Sequence, residues 1–401
     1  MFSGMAHFLV ARWFLSTFPA PVARARRRLV YGVAVALSLL LATVRLVAWA
    51  QSGALVRLMT AVAFVELIAV VTALLPLGLM VIGMRGGSAL RSRLSRARPQ
   101  EVEEAASVDE PAALVSEPEL VVSRRQVIER VAGVAMLGAT STALGWGMVR
   151  GRHAFEIEEV VVRVTGWPRA LDGYVIAQVS DIHVGAFVGD RELDEGFELV
   201  KKIRPDLVVA TGDLVDFESE VAGMLARRLL EAGARDGAYA IVGNHDHYAG
   251  AADVAARMRA AGVKVLGNEA ERIRAADGGG FALVGVDDLQ GRFRPSPGFA
   301  GPDLGAALKG LAPDLPRILL AHQPSYLRES AGRVALQLSG HVHGGQINPG
   351  FCPAKLVMEY VAGRYERDGT TLWVNRGFGI SGPPSRVGAP PEITKIVIVA
   401  A

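Results

Sequence analysis

Cysteine is all but missing: Cys352 is the single one in 401 residues. No disulfide can form within the chain and no thiolate cluster can hold a metal, so metal chemistry here would have to use oxygen and nitrogen ligands. Aromatic residues make up only 6% of the chain, and no basic surface interleaved with them stands out. That removes the usual footprint of a nucleic-acid binder, and no nucleic-acid partner is expected. Net charge is also small, at +3, with its positive excess in a few arginine clusters. One long stretch is nearly without charge. From Leu29 to Met84 the only formal charges are Arg45, Arg57 and Glu66.

What fills that stretch is apolar, and the mean hydropathy of the whole chain is high at +0.30. Residues 29–84 read as two transmembrane helices, 29–44 and 58–84, each near the ~20 apolar residues that cross a bilayer. Residues 1–28 form a basic leading segment, and 85–130 a charged linker whose acidic, proline-containing part, 99–122, lacks a core of its own. A third apolar segment, 131–149, is weaker, being rich in glycine, alanine and threonine. It follows "SRRQVIER", Ser123 to Arg130, which resembles a twin-arginine export signal with Val127 and Ile128 where that motif prefers phenylalanine and leucine. Arg124, Arg125 and Arg130 serve equally as the positive flank of a third membrane helix. Arginines gather at 24–28, at 85–98 and at 124–125 but not around Gln51–Gly53. Arginine marks the cytoplasmic side, so a multi-pass membrane protein with residues 151–401 outside the cytoplasm is expected.

Residues 151–401 carry a different pattern. Short β-branched runs at Val160–Val164, Tyr174–Val179, Leu207–Ala210, Tyr239–Val242, Phe281–Val286, Ile318–Leu320, Val334–Leu338, Leu372–Val374 and Ile393–Val399 predict strands. Helical periodicity over Arg191–Ile203, Val221–Ala232 and Ala251–Ala261 intervenes. Strands alternating with helices predict an α/β domain. The run is long enough to bury one sizeable core, and it contains no internal repeat.

Five polar motifs each follow one of these strands: "SDIH", "TGDLVD", "GNHDH", "AHQP" and "SGHVHGGQ". Ligand sites in open α/β sheets collect beyond the carboxyl ends of strands, so five such ends describe one converging site. The motifs offer Asp181, His183, Asp213, Asn244, His322, His341 and His343 as donors. All are oxygen or imidazole ligands, suited to Mn, Fe or Zn. Seven donors are too many for one ion and fit two divalent ions sharing one carboxylate. Two ions about 3.5–4 Å apart can activate water and neutralise both oxygens of a phosphoryl displacement.

The set Asp181-x-His183, Gly212-Asp213-x-x-Asp216, Gly243-Asn244-His245-Asp246, His322 and Gly340-His341-x-His343 resembles the calcineurin-like metallophosphoesterase superfamily over residues 155–401. The resemblance implies a double β-sheet sandwich flanked by helices around a binuclear metal centre. It implies that Asp181, His183, Asp213 and His343 hold one ion and that Asp213, Asn244, His322 and His341 hold the other. It makes His245 the proton donor to the leaving group, oriented by Asp216. "SGHVHGGQINPG" and "RGFGISGPPSRVGAPPEITKIVI" narrow the likeness to a membrane-associated bacterial branch that includes phosphohydrolases with twin-arginine signals. Phe217 stands where the protein Ser/Thr phosphatases carry an arginine, which counts against phosphoprotein substrates. Arg376 and Arg386 fall in loops near the expected rim, and Arg386 is the candidate for binding a phosphate oxygen of the substrate.

The expected activity is therefore a membrane-anchored metal-dependent phosphoric ester hydrolase acting on phosphomonoesters or phosphodiesters, with lipid-linked or membrane-surface substrates. Two rivals use the same residues differently. One is a cytoplasmic-facing pyrophosphatase of a nucleotide-linked lipid, and the other an inactive metal-binding membrane scaffold or sensor.

Overall fold

A computed structural model describes residues 7–9, 11, 12, 15, 27–36, 38, 39 and 124–401, apart from 186, 275–278 and 349. They fall into two compact units, the first taking described residues up to Thr142 and the second those from Ala143 onward. Of the expected spans, 58–84 lies outside the described residues, as do 85–123 of the linker. Within 29–44, residues 29–36, 38 and 39 are helical.

The first long helix, α1, is Arg124–Val149, so it starts within the arginine-flanked motif rather than at 131. Its residues 127, 128, 131 and 134 are Val, Ile, Val and Val, all exposed. Among the described residues, Arg130–His153 is the one helical stretch long and apolar enough to cross a bilayer, at a mean hydropathy of 1.2.

The second unit is built on twelve strands in two six-stranded mixed sheets. The first sheet orders β1 (Glu156–Val164), β12 (Glu392–Ala400), β2 (Tyr174–Val179), β3 (Leu207–Thr211), β4 (Ala238–Ile241) and β5 (Lys264–Val265). The second orders β10 (Gly363–Arg367), β11 (Thr370–Val374), β9 (Leu336–Ser339), β8 (Arg317–Leu320), β7 (Gly280–Gly285) and β6 (Glu269–Arg274). In each sheet four consecutive strands run parallel: β2 through β5 in one, β11, β9, β8 and β7 in the other.

Alternation along the strands explains the layering. Ile176, Leu207, Val209, Tyr239 and Ile241 of the first sheet pack against Phe281, Leu283, Ile318, Leu320, Leu336 and Trp373 of the second in one buried cluster. Their neighbours Ala177, Val179, Val208, Ala210 and Ala240 face outward and join Leu193, Phe197, Leu225, Leu229, Val254 and Met258. Those last side chains come from helices α2 (Asp190–Ile203), α3 (Ala222–Glu231) and α5 (Ala251–Ala260), while the one-and-a-half-turn α4 (Asn244–Ala249) precedes α5. Successive side chains of a strand point to opposite faces, so strands apolar at every position are those buried on both.

Nine strands and three helices fall where the sequence predicts them, within four residues at each end. The strands not predicted are β5, β6 and β10. Two of these, "EAERIR" and "GRYER", are edge strands pairing with a single neighbour, β7 or β11. Charge on an edge guards against further pairing, and here it erases the apolar run that would announce a strand.

Strands β2, β3 and β4 end just before the Asp181, Asp213 and Asn244 motifs, and β8 and β9 just before His322 and His341. Buried Gln178 ties the sheets together there, donating from Nε2 to Thr211 Oγ1 and to the Ser339 carbonyl, each at 3.0 Å.

Candidate metal centre

Backbone strain marks the site. Asp181, His183, Asp213, His341 and His343 all adopt left-handed backbone conformations, with φ between 50° and 75°. Residues other than glycine rarely do so, and such strain concentrates where function fixes side-chain direction. Close packing accompanies it. A Cβ on Gly340 would overlap Ser180 Oγ and Asp181 Oδ2, so only glycine lets this turn pass the Asp181 carboxylate. The His341 amide then donates to Asp181 Oδ1 and Oδ2 at 2.8 and 2.9 Å.

All seven expected donors converge. His183 Nε2 lies 3.1 Å from His343 Nε2, and His343 Nε2 lies 3.5 Å from Asp181 Oδ1. A second group gathers around His322 Nε2, which is 3.2 Å from Asn244 Oδ1 and 3.3 Å from His341 Nδ1. Asp213 Oδ2 lies between the groups, 3.6 Å from His183 Nε2 and 3.3 Å from His322 Nε2. Its other oxygen, Oδ1, accepts the His245 amide at 2.8 Å, which fixes the carboxylate plane.

This donor set fits divalent cations. Asp181, His183, Asp213, His322 and His343 are buried, and Asp213 Oδ2 and the Nε2 atoms of His183, His322 and His343 face one another at 3.1–3.6 Å. Buried carboxylates in such company need positive charge. His322 Nδ1 donates to the Thr211 carbonyl at 2.9 Å. That keeps a proton on Nδ1 and turns Nε2 inward, the usual outer support of a metal-binding histidine. Burial opposes charge on His322 while Asp213 favours it and raises the imidazole well above its ordinary range; a cation taking the Nε2 lone pair would displace that proton. His343 moves the opposite way: burial first, then His183 and Arg386, push it well below that range. A neutral ring is the form that binds a metal.

Beside the cluster, His245 Nδ1 donates to Asp216 Oδ1 at 3.1 Å. Burial disfavours its charged form, yet the Asp216 hydrogen bond and the charges of Asp213 and Asp216 raise it to about 9. Aromatic rings border it, Phe217 at 5.5 Å and Tyr248 at 5.3 Å between centroids, with the Arg294 guanidinium 5.2 Å from the Tyr248 ring.

Arg386 corrects one expectation. It is fully buried, and its guanidinium donates to the carbonyls of Arg376, Gly377, Gly379 and Ala389. Nη2 also lies 3.2 Å from His343 Nδ1. It therefore packs behind His343 instead of reaching a phosphate. Arg376 is engaged as well, pairing with Glu392 at 2.7 Å and Glu156 at 3.1 Å.

Asp246 and His247 take structural roles; from sequence, His247 reads as a substrate contact or a polar loop residue. Asp246 accepts the amides of Leu214, Val215 and Gly243 and so staples the Asp213 loop to the Asn244 turn. Burial, then repulsion from Asp213, raise its carboxyl to about 6 against those three donors. His247 points away from the cluster, with Nε2 2.8 Å from Asp287 Oδ1 and Nδ1 donating to the Arg294 carbonyl. The adjacency of Asp246 and His247 to the ligands in "GNHDH" was the available signal, but nothing local gives their direction.

Comparison with known proteins agrees with this geometry. The profile of a family described as calcineurin-like phosphoesterase matches residues 174–345. The chain is 33% identical to an uncharacterized metallophosphoesterase, YkuE, of Bacillus subtilis (strain 168), over 68% of this chain and 96% of that one. It is 35% identical to a "transmembrane protein with metallophosphoesterase domain" of Bos taurus, over 64% of this chain and 60% of the relative. It is 33% identical to one of the same description from Danio rerio, over 66% and 62%. The chain thus spans about three fifths of the length of those two vertebrate relatives.

Proposed function

The chain belongs to the calcineurin-like phosphoesterase family, and on that premise we propose that it is a membrane-anchored hydrolase of phosphomonoesters or phosphodiesters, with two divalent ions and lipid-linked or membrane-surface substrates. The observation that carries this reading is Asp213, whose Oδ2 faces both His183 Nε2 and His322 Nε2. One ion would be held by Asp181, His183, Asp213 and His343, the other by Asp213, Asn244, His322 and His341. Mn, Fe or Zn bound there would supply Lewis-acid polarisation of water and of phosphoryl oxygens.

The chain's own residues do the rest. Asp216 fixes the His245 ring through Nδ1, leaving the proton on Nε2 for the departing oxygen. General acids of this kind contribute about 10²–10⁴-fold. Phe217 and Tyr248 give the leaving group an apolar border beside that proton.

Anchoring is supported by α1, by the arginine pattern and by relatives described as transmembrane proteins. The same pattern supports an extracytoplasmic catalytic domain, with "SRRQVIER" as an export-type signal or as the positive flank of a span.

The test is hydrolysis of a chromogenic phosphodiester by the purified full chain loaded with Mn, beside its Asp213→Asn variant. Turnover by the parent and its loss in the variant are expected. No turnover, or equal turnover in both, would remove the catalytic reading. Reporter fusions after Arg150 test the side: phosphatase-reporter activity is expected, and fluorescence from a cytoplasmic reporter would reverse the topology.

A further inference from the structure

The segment after the His341–His343 turn presents an apolar surface that the proposed chemistry does not use. Phe351, Leu356 and Val357 are 59%, 78% and 84% exposed, and Met358 is exposed beside them. The four crowd into eight residues, folded by a short 3₁₀ turn at Pro353–Leu356 whose Ala354 carbonyl accepts the amides of Val357 and Met358. Single exposed apolar side chains are ordinary, but a cluster of large ones marks a surface that something covers. The sole charge from Gly350 to Met358 is Lys355, also exposed.

The position of this loop says what covers it. The end of α1 is locked against Ser385–Val387: Ser385 Oγ donates to the Leu144 carbonyl at 3.0 Å, and the Arg386 amide to the Gly147 carbonyl at 3.3 Å. A Cβ on Gly147 would overlap all three of Ser385, Arg386 and Val387. From the other side, the Asn348 amide donates to the Val387 carbonyl at 2.7 Å, and Cys352 Sγ and Ala354 pack over Gly345. One strap therefore joins the end of the apolar helix to the apolar loop. On α1 itself, Trp146 and Val149 are exposed, at 53% and 68%. An indole at the end of an apolar helix, exposed leucine and valine, and a lone lysine are the composition of a membrane interface.

We propose that Phe351–Met358 and the last turn of α1 form one face that rests in the bilayer surface and holds the His341–His343 turn next to it. This deepens the membrane-anchored reading given above and rests on it. A lipid bilayer is the occupant, with Lys355 toward anionic headgroups. The substrate phosphate would then be taken from the membrane surface rather than from bulk solution.

The experiment uses the full chain carrying Cys352→Ser, with Val357→Cys labelled by an environment-sensitive fluorophore. It is placed one copy per nanodisc of phosphatidylcholine and phosphatidylglycerol. Asp368→Cys is the reference, since Asp368 is exposed in the β10–β11 turn at the opposite end of its sheet. The expected result is quenching at position 357 by doxyl-labelled lipid and loss of quenching there by aqueous iodide, with the reverse at 368. Iodide reaching both labels equally would overturn the proposal. So would shielding that appears only with two copies per disc, which would assign the face to a second chain. Turnover of a soluble chromogenic phosphodiester is measured on the same discs. An immersed label without turnover would count against the esterase reading alone, and turnover with an exposed label against the docking face alone.

Discussion

Arg386 Nη2 lies 3.2 Å from His343 Nδ1, and the guanidinium as a whole is held by four backbone carbonyls in a fully buried niche. Burial, then His183, then the Arg386 guanidinium push His343 well below its ordinary range. Arg386→Met should leave those carbonyls unpaired, and each buried acceptor left without a donor costs about 1–3 kcal/mol. Arg386→Lys cannot reproduce the fork and should shift the His341–His343 turn and weaken metal retention. Metal content after dialysis, with thermal unfolding alongside, separates the two effects.

His245 and Asp216 predict a dependence on the leaving group. His245→Ala should slow hydrolysis of alkyl phosphoesters by about 10²–10⁴-fold. Nitrophenyl esters, whose leaving oxygen needs no proton, should lose far less. Steady-state kinetics on the two substrate types gives the answer, and equal losses on both would deny His245 the proton-donor role.

The same pair sets a pH limit. His245 is raised to about 9 largely by Asp216, so the donor form persists below that pH and is lost above it. Asp216→Asn should draw the alkaline fall in rate toward lower pH. A rate profile between pH 6 and 10 measures the displacement.

His247 predicts a pH effect on stability instead. Both ring nitrogens face acceptors, Asp287 and the Arg294 carbonyl, and the Asp287 hydrogen bond outweighs burial to raise its protonation above the ordinary value. A folded-state pKa above the unfolded one, about 6.5, stabilises fully below that pH and progressively less as pH rises through the folded value. Replacing the ring by His247→Gln should lower the melting temperature at pH 6 more than at pH 9. A gap that stays constant across that window would assign His247 a packing role only.

Gly340→Ala would place a methyl group onto Ser180 Oγ and Asp181 Oδ2. Since Asp181 is fixed by the His341 amide, the His341–His343 turn must move away. Metal binding is expected to fall while the sheets persist, which calorimetric titration and circular dichroism read together.

Much of the architecture could be read directly from residue order. Apolar runs buried on both faces, such as Leu207–Ala210, announce their strands because both faces of the sheet are covered. The five motifs announce one site because each follows such a strand. Edge strands β6 and β10 could not be read, since their charges serve pairing control rather than burial. Sequence spacing likewise could not separate Arg386, packed behind His343, from an arginine that meets substrate.

What the sequence by itself determined is the donor chemistry, oxygen and imidazole without thiolate, and the alternation that makes two sheets face each other. Only the tertiary structure decided direction. Left-handed turns at Asp181, His183, Asp213, His341 and His343 aim the ligands inward, and the packing at Gly340 and Arg386 holds them there. Residue type fixes what a side chain can bind, but which way it points depends on contacts between distant segments, such as the 160 residues that separate His183 and His343.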